Sequence, residues 1–86
     1  MKVHGAAISL AGINFAVVVV GMDLVKNSGE ADLAIERFES TFGGVPIILM
    51  AQNDVGSPSY YGDQELVKLL RDVPIDQMPW REYSVS

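Results

Sequence analysis

The uncharged run from Phe15 to Val20, which reads Phe-Ala-Val-Val-Val-Val, most constrains how this chain can fold. β-branched valines favour an extended backbone, and the absence of polar alternation indicates a strand that is covered on both faces. Such a strand would promote aggregation if it were exposed. The sequence therefore predicts a central strand, with the rest of an 86-residue chain packed around it as one domain, residues 1–86.

Charged side chains are concentrated in two blocks, 23–42 and 63–82, which alternate with the nearly uncharged blocks 1–22 and 43–62. This alternation is typical of buried strands followed by amphipathic helices. We expect a small α/β or α+β sandwich in which two main helices pack on a mixed four-stranded sheet. The orientation of the two central strands, parallel or antiparallel, stays open at this point.

Turn residues divide the uncharged blocks into two predicted hairpins. The first joins Val3–Leu10 to Phe15–Val20 through residues 11–14, where Gly12 and Asn14 can adopt a positive φ. The second joins Ile47–Ala51 to Ser57–Tyr61 through a turn at residues 53–56. Because Pro58 has no N–H to donate, the last of these strands is expected at the edge of the sheet.

The charged blocks predict two amphipathic helices and a tail. Asn27 or Ser28 caps a helix that ends at Gly43, and Asp63 caps a second helix that ends before Pro74. The tail, residues 74–86, is too apolar for a solvated segment, so it either closes over the domain or pairs with a second copy. The first helix carries an apolar stripe of Ala31, Ala34, Ile35, Phe38 and Phe42.

Composition excludes several classes of function. The chain contains no cysteine, which removes thiol redox chemistry, cysteine nucleophiles and thiolate metal sites, and is compatible with a cytoplasmic protein. Its net charge of −5 gives no electrostatic reason to bind nucleic acid. The uncharged segment Gly5–Met22 is interrupted by glycine, serine and asparagine, so we expect neither a signal peptide nor a membrane span.

No catalytic constellation emerges from the titratable residues. His4 is the only histidine, which excludes a histidine metal cluster, and no orienting partner for a catalytic role can be identified. Asp32, Glu36 and Glu39 share a helix face that we interpret as solvated, because a Ca²⁺ site requires six or more converging oxygens. We therefore predict no catalytic residue, no metal and no cofactor.

Aromatic residues near the second hairpin and the tail are the candidates for binding. Tyrosine and tryptophan are enriched at interaction hot spots, although a small domain also uses them to complete its core. The predicted binding residues are Pro46, Tyr60, Tyr61, Trp80 and Tyr83.

Residues 15–72 resemble the second half of thioredoxin-like domains in the order of their elements. A hydrophobic strand and a helix precede the Val45-Pro46 dipeptide, which opens a strand, and an antiparallel strand, Gly62 and a final helix follow. In that family the proline is cis and borders the substrate groove, so the resemblance implies a binding edge beside Pro46. The family's first β-α unit and its paired redox cysteines have no counterpart, so thiol oxidoreductase activity is not implied.

Two functions of different class remain open. The first is a non-catalytic protein-interaction module that self-associates or binds a protein partner, which the edge hairpin and the apolar tail indicate. The alternative is a small-ligand-binding or enzymatic thioredoxin-like domain without thiol redox chemistry, with its site near Pro46, Tyr60, Tyr61 and Trp80.

Overall fold

The computed structural model describes residues 1–53 and 55–85. In these residues five strands form one mixed sheet and three α-helices pack on it, which confirms the α+β class. The predicted sheet had four strands and two main helices, so one strand and one short helix were missed. The elements are β1 (Lys2–Leu10), β2 (Ile13–Val19), α1 (Met22–Lys26), α2 (Ser28–Thr41), β3 (Ile47–Gln52), β4 (Pro58–Tyr61), α3 (Gln64–Leu70), a 3-10 turn (Ile75–Gln77) and β5 (Trp80–Ser84).

The sheet has the order β4-β3-β2-β1-β5, with the valine-rich strand β2 at its centre. β2 pairs antiparallel with β1 and parallel with β3, so that Val17 lies opposite Ile48. The parallel pairing answers the question that the sequence left open. α1 and α2 make the connection between β2 and β3.

Both faces of the central strands are covered, which explains why β2 lacks polar alternation. α3 and the segment after it cover one face, and α1 and α2 cover the other. The first core contains Ala6, Phe15, Val17, Ile48, Met50, Leu66, Val67, Leu70 and Met78. The second core contains Ala16, Val18, Ala31, Phe38, Ile47, Leu49 and Val85.

The first hairpin turns through Ala11 and Gly12, whose φ values of 51° and 76° are both in the left-handed region. A two-residue hairpin turn requires two successive positive φ values when its twist matches that of the flanking strands. The sequence predicted a wider turn with Asn14 at positive φ, but Asn14 pairs with Ser9 inside the ladder. The turn is therefore shorter than predicted and β2 begins earlier.

Both predicted helix caps are present. The side chain of Asn27 accepts a hydrogen bond from the Glu30 amide at 3.2 Å, and Asp63 accepts one from the Glu65 amide at 2.9 Å. Gly43, with φ 77°, follows the end of α2. α1 lies in a segment that the sequence predicted as a connection, because its five residues are too few to show helical periodicity.

The second hairpin places β4 at one edge of the sheet, as Pro58 predicts. The side chain of Asn53 organises the turn by accepting hydrogen bonds from the amides of Val55 and Ser57, at 3.1 and 2.9 Å. Asp54, which was predicted to take part in this turn, lies outside the described residues.

The tail forms the strand at the opposite edge, where β5 pairs antiparallel with β1. Met78, just before β5, is buried in the first core. The sequence predicted no strand here, because Arg81 and Glu82 interrupt the apolar pattern. Both side chains are tolerated since an edge strand leaves them in solvent.

None of the α-helices in the described part of the chain is long and apolar enough to cross a membrane.

Candidate functional site

The predicted binding residues lie at both edges of the sheet and do not form one site. Tyr60 and Tyr61 belong to β4, whereas Trp80 and Tyr83 belong to β5, with three strands between them. Pro46 directly precedes β3, and its carbonyl accepts a hydrogen bond from the Ala16 amide at 2.9 Å.

Three of the aromatic residues pack against the domain itself. Tyr60 is half-buried against the first core, and this burial raises its pKa above the ordinary tyrosine value of 10.0. Trp80 packs on the same core and its Nε1 donates a hydrogen bond to the Ile75 carbonyl at 2.7 Å. Tyr83 contacts Phe42, with the ring centroids 4.4 Å apart. Each of the three side chains is therefore partly covered by the domain itself.

Tyr61 and Pro46 share a cavity of about 360 Å³, which we call the Tyr61 cavity. The Tyr61 hydroxyl donates a hydrogen bond to Oδ1 of Asp32 at 2.8 Å, which ties β4 to α2. This bond, followed by burial and the negative charge of Asp32, raises the pKa of Tyr61 above 10.0. The cavity is lined by Asp32, Ile35, Glu39, Pro46, Ile47, Tyr61, Gly62, Asp63 and Gln64.

The Tyr61 cavity offers hydrogen bonds and negative charge. Asp63 is engaged in capping α3, and the raised pKa of Tyr61 keeps its phenol protonated at neutral pH, which makes it a poor general base. Within residues 1–53 and 55–85, no three His, Asp or Glu side chains are grouped so that they could hold a metal ion. The peptide bond of Pro46 is trans, whereas the thioredoxin-like resemblance implied a cis bond.

A second concave surface, which the sequence did not predict, lies between α2 and the adjoining ends of β1 and β2. This apolar groove has a volume of about 530 Å³. Leu33 and Met1 at the groove are 66% and 62% exposed, although both are large hydrophobic side chains. The groove is lined by Met1, Val3, Val19, Val20, Gly21, Leu24, Glu30, Leu33, Ala34, Arg37 and Phe38.

The position of Leu33 is the one signal in the sequence that pointed to this groove. Leu33 lies outside the stripe that predicts the buried face of α2, and it follows the charged Asp32 directly. A single exposed leucine is common on protein surfaces and does not by itself indicate a binding site. Only the fold brings it beside Val3 of β1 and Val20, just after β2, which are distant in sequence.

Charges divide the two flanks of α2. The groove flank carries one acid and one base, Glu30 and Arg37, which lie seven residues apart on either side of Leu33. The flank towards β4 carries Asp32 and Glu39, both of which line the Tyr61 cavity. The groove flank of α2 therefore carries one charge of each sign, whereas the Tyr61 cavity is acidic.

No protein-family model matches this chain, and no curated protein and no solved structure matches it either.

Proposed function

We propose that this chain is a non-catalytic protein-interaction module that self-associates through the apolar groove. The observation that carries the proposal is a concave apolar surface with two large hydrophobic side chains about two-thirds exposed at its margin. Exposed apolar surface beside a concavity is typical of a protein contact site.

Burial of the exposed leucine at the groove contributes favourably to association. Moving a leucine from full exposure to full burial contributes about 1.5–3 kcal/mol. Since Leu33 is 66% exposed, its burial at an interface contributes roughly 1–2 kcal/mol per copy. A symmetric dimer gains this contribution twice, because the same residue is buried on each side.

The two edges of the sheet support association less well than the groove. β4 has only four residues and begins with Pro58, which cannot donate a hydrogen bond to an added strand. β5 exposes Arg81 and Glu82, and charged side chains on an edge strand oppose edge-to-edge pairing. Both features oppose association by strand addition at the edges of the sheet.

Absolute molar mass, measured by light scattering over a dilution series, tests the proposal. We expect wild type to dimerise in the micromolar range and Leu33→Asp to be monomeric, because a buried unpaired carboxylate is costly. Val55→Asp is the matched control, since Val55 is 85% exposed and lies in the turn before β4. A monomeric wild type, or a Leu33→Asp variant that dimerises as well as the control, would overturn the proposal.

Removing the tail is a poor test of association, because the tail is part of the fold. Truncation after Val73 would remove β5 and also Met78 and Val85, which are each only 5% exposed in the two cores. The resulting loss of packing would unfold the domain before any interface could be assessed. Single substitutions at exposed positions avoid this difficulty.

A second candidate function, binding of a small ligand, is favoured by the Tyr61 cavity. Its volume of about 360 Å³ lies within the range of small-molecule sites, and the Asp32 and Glu39 carboxylates favour a ligand that carries amine or other hydrogen-bond donors. A set of small amines would raise the melting temperature of wild type more than that of Asp32→Asn if this candidate is correct. If the two proteins respond equally, the cavity is not the binding site.

A further inference from the structure

We infer that the occupant of the apolar groove is a second copy of this chain, with the two α2 helices antiparallel about a two-fold axis that passes between positions 33 and 34. This inference rests on the proposed function and specifies its partner and geometry. It is drawn from the order of side chains along the groove flank of α2.

The groove flank of α2 is self-complementary. Glu30, Leu33, Ala34 and Arg37 all line the groove, and their spacing of three, four and seven residues puts them on one helix face. Glu30 and Arg37 are equally far from the midpoint between Leu33 and Ala34. A two-fold axis at this midpoint therefore places Glu30 opposite Arg37 of the partner subunit, and the same pair forms a second time by symmetry.

Other arrangements of two copies are less favourable. Parallel α2 helices in register would place Glu30 against Glu30 of the partner subunit and the two arginines against each other. The opposite flank of α2, which carries Asp32, Glu36 and Glu39, would bring together carboxylates from two chains that each carry a net charge of −5. The antiparallel arrangement on the groove flank is the one in which charge and apolar area both match.

The side chains at the midpoint also suit close helix packing. Ala34 has a small side chain, which lets two helix axes approach to about 8–10 Å. Leu33, at the rim, is then positioned to enter the groove of the partner subunit, which Val3 and Val20 line. Each copy provides both a protruding side chain and a concave surface, as an isologous interface requires.

Charge reversal distinguishes this geometry from any other mode of association. Glu30→Arg creates a groove flank with two positive charges, and Arg37→Glu creates one with two negative charges. We expect each variant alone to dimerise about tenfold or more weakly than wild type, because two attractive pairs become repulsive. An equimolar mixture should form the heterodimer, which native mass spectrometry identifies by its mass, and Glu30→Arg/Arg37→Glu should restore the homodimer.

Cross-linking gives a readout that does not depend on charge. Since the chain has no cysteine, Ala34→Cys introduces a single thiol close to the proposed axis. Mild oxidation should link two copies of this variant through a disulfide, because facing positions at the axis come within the distance that a disulfide spans. Val55→Cys, in an exposed turn, serves as the control and should remain unlinked under the same conditions.

The outcomes separate the inference from the proposed function. If wild type is monomeric, the proposed function fails and the inference fails with it. A different result would refute only the geometry. In that case Leu33→Asp abolishes the dimer, the two charge-reversal variants and their mixture dimerise like wild type, and Ala34→Cys does not cross-link. The groove is then the interface, but the antiparallel arrangement is wrong. Circular dichroism of each variant checks folding. If Arg37→Glu does not fold, cross-linking of Ala34→Cys decides whether the antiparallel arrangement is correct.

Discussion

Gly62, between β4 and α3, is a position where the structure predicts a large loss of stability from a single added methyl group. Its φ is +150°, and a Cβ built there would lie 2.6 Å from Cδ1 of Ile48 and 3.1 Å from the Ile47 carbonyl oxygen. Overpacking of this kind costs about 1–3 kcal/mol, and an unfavourable backbone conformation costs about 1–3 kcal/mol more. We therefore expect Gly62→Ala to lower the free energy of unfolding by about 2–6 kcal/mol.

Thermal and urea denaturation, followed by circular dichroism, measures this loss. A domain of 86 residues is stable by roughly 4–13 kcal/mol, so the change removes a large part of the total. At about 4–8 °C per kcal/mol, the melting temperature should fall by roughly 8 °C or more. Gly43→Ala is the matched control, because Gly43 also has a positive φ, of 77°, but nothing lies within 4 Å of its added Cβ.

A second substitution isolates the contact with Ile48. Ile48→Val removes Cδ1 and costs about 0.5–1.5 kcal/mol in the wild-type background. In the Gly62→Ala background the same change should cost less or even stabilise the domain, because it relieves the 2.6 Å contact. If Gly62→Ala costs no more than Gly43→Ala, and the two substitutions are additive, this reasoning is refuted.

Two further predictions concern the aromatic residues. Asp32→Asn should lower the pKa of Tyr61 towards 10.0, because it removes the carboxylate that accepts the Tyr61 hydrogen bond and disfavours ionisation of the phenol. Phenolate absorbance during an alkaline titration, with Tyr61→Phe as the blank, measures this pKa. Since the folded-state pKa is raised, stability from this pair is fully present below pH 10.0 and is lost as the pH rises through the folded-state value, and Asp32→Asn should flatten this alkaline dependence. Trp80→Phe should lower the free energy of unfolding by about 0.5–1.5 kcal/mol, because the Ile75 carbonyl loses the Trp80 donor at 2.7 Å and keeps the Met78 amide at 3.1 Å. Urea unfolding measures the loss, and an unchanged midpoint would show that the hydrogen bond does not contribute.

The elements that sequence reasoning located are those whose signal is local. The valine-rich run, the Asn27 and Asp63 caps and the edge position of Pro58 each depend on a few neighbouring residues, and the structure has all of them. β5 was missed because its stability comes from pairing with β1, which is at the other end of the chain. A strand that is defined by its partner has no strong pattern of its own.

The candidate site was less accessible to sequence reasoning than the fold. Tyr60, Trp80 and Tyr83 were grouped with Tyr61 by residue type, but Tyr60 and Trp80 pack on the first core whereas Tyr83 contacts Phe42. The apolar groove was not found, because its lining comes from three separate segments and its most exposed member, Leu33, is an ordinary residue for a helix surface. The fold brings together the residues that line the Tyr61 cavity and the apolar groove, and residue type alone does not identify either surface.

The pairing of β1 with β5 also has consequences for how the chain folds. The Val85 amide donates a hydrogen bond to the Met1 carbonyl at 2.7 Å, so this contact closes a loop that contains nearly the whole chain. The hairpin of β1 and β2 can form within microseconds, whereas β5 can dock only after the intervening elements have collapsed. Until then the outer edge of β1 is bare and open to pairing with other chains. Trp80, the only tryptophan, begins β5, so its fluorescence in a stopped-flow experiment would time the step that ends this vulnerable interval.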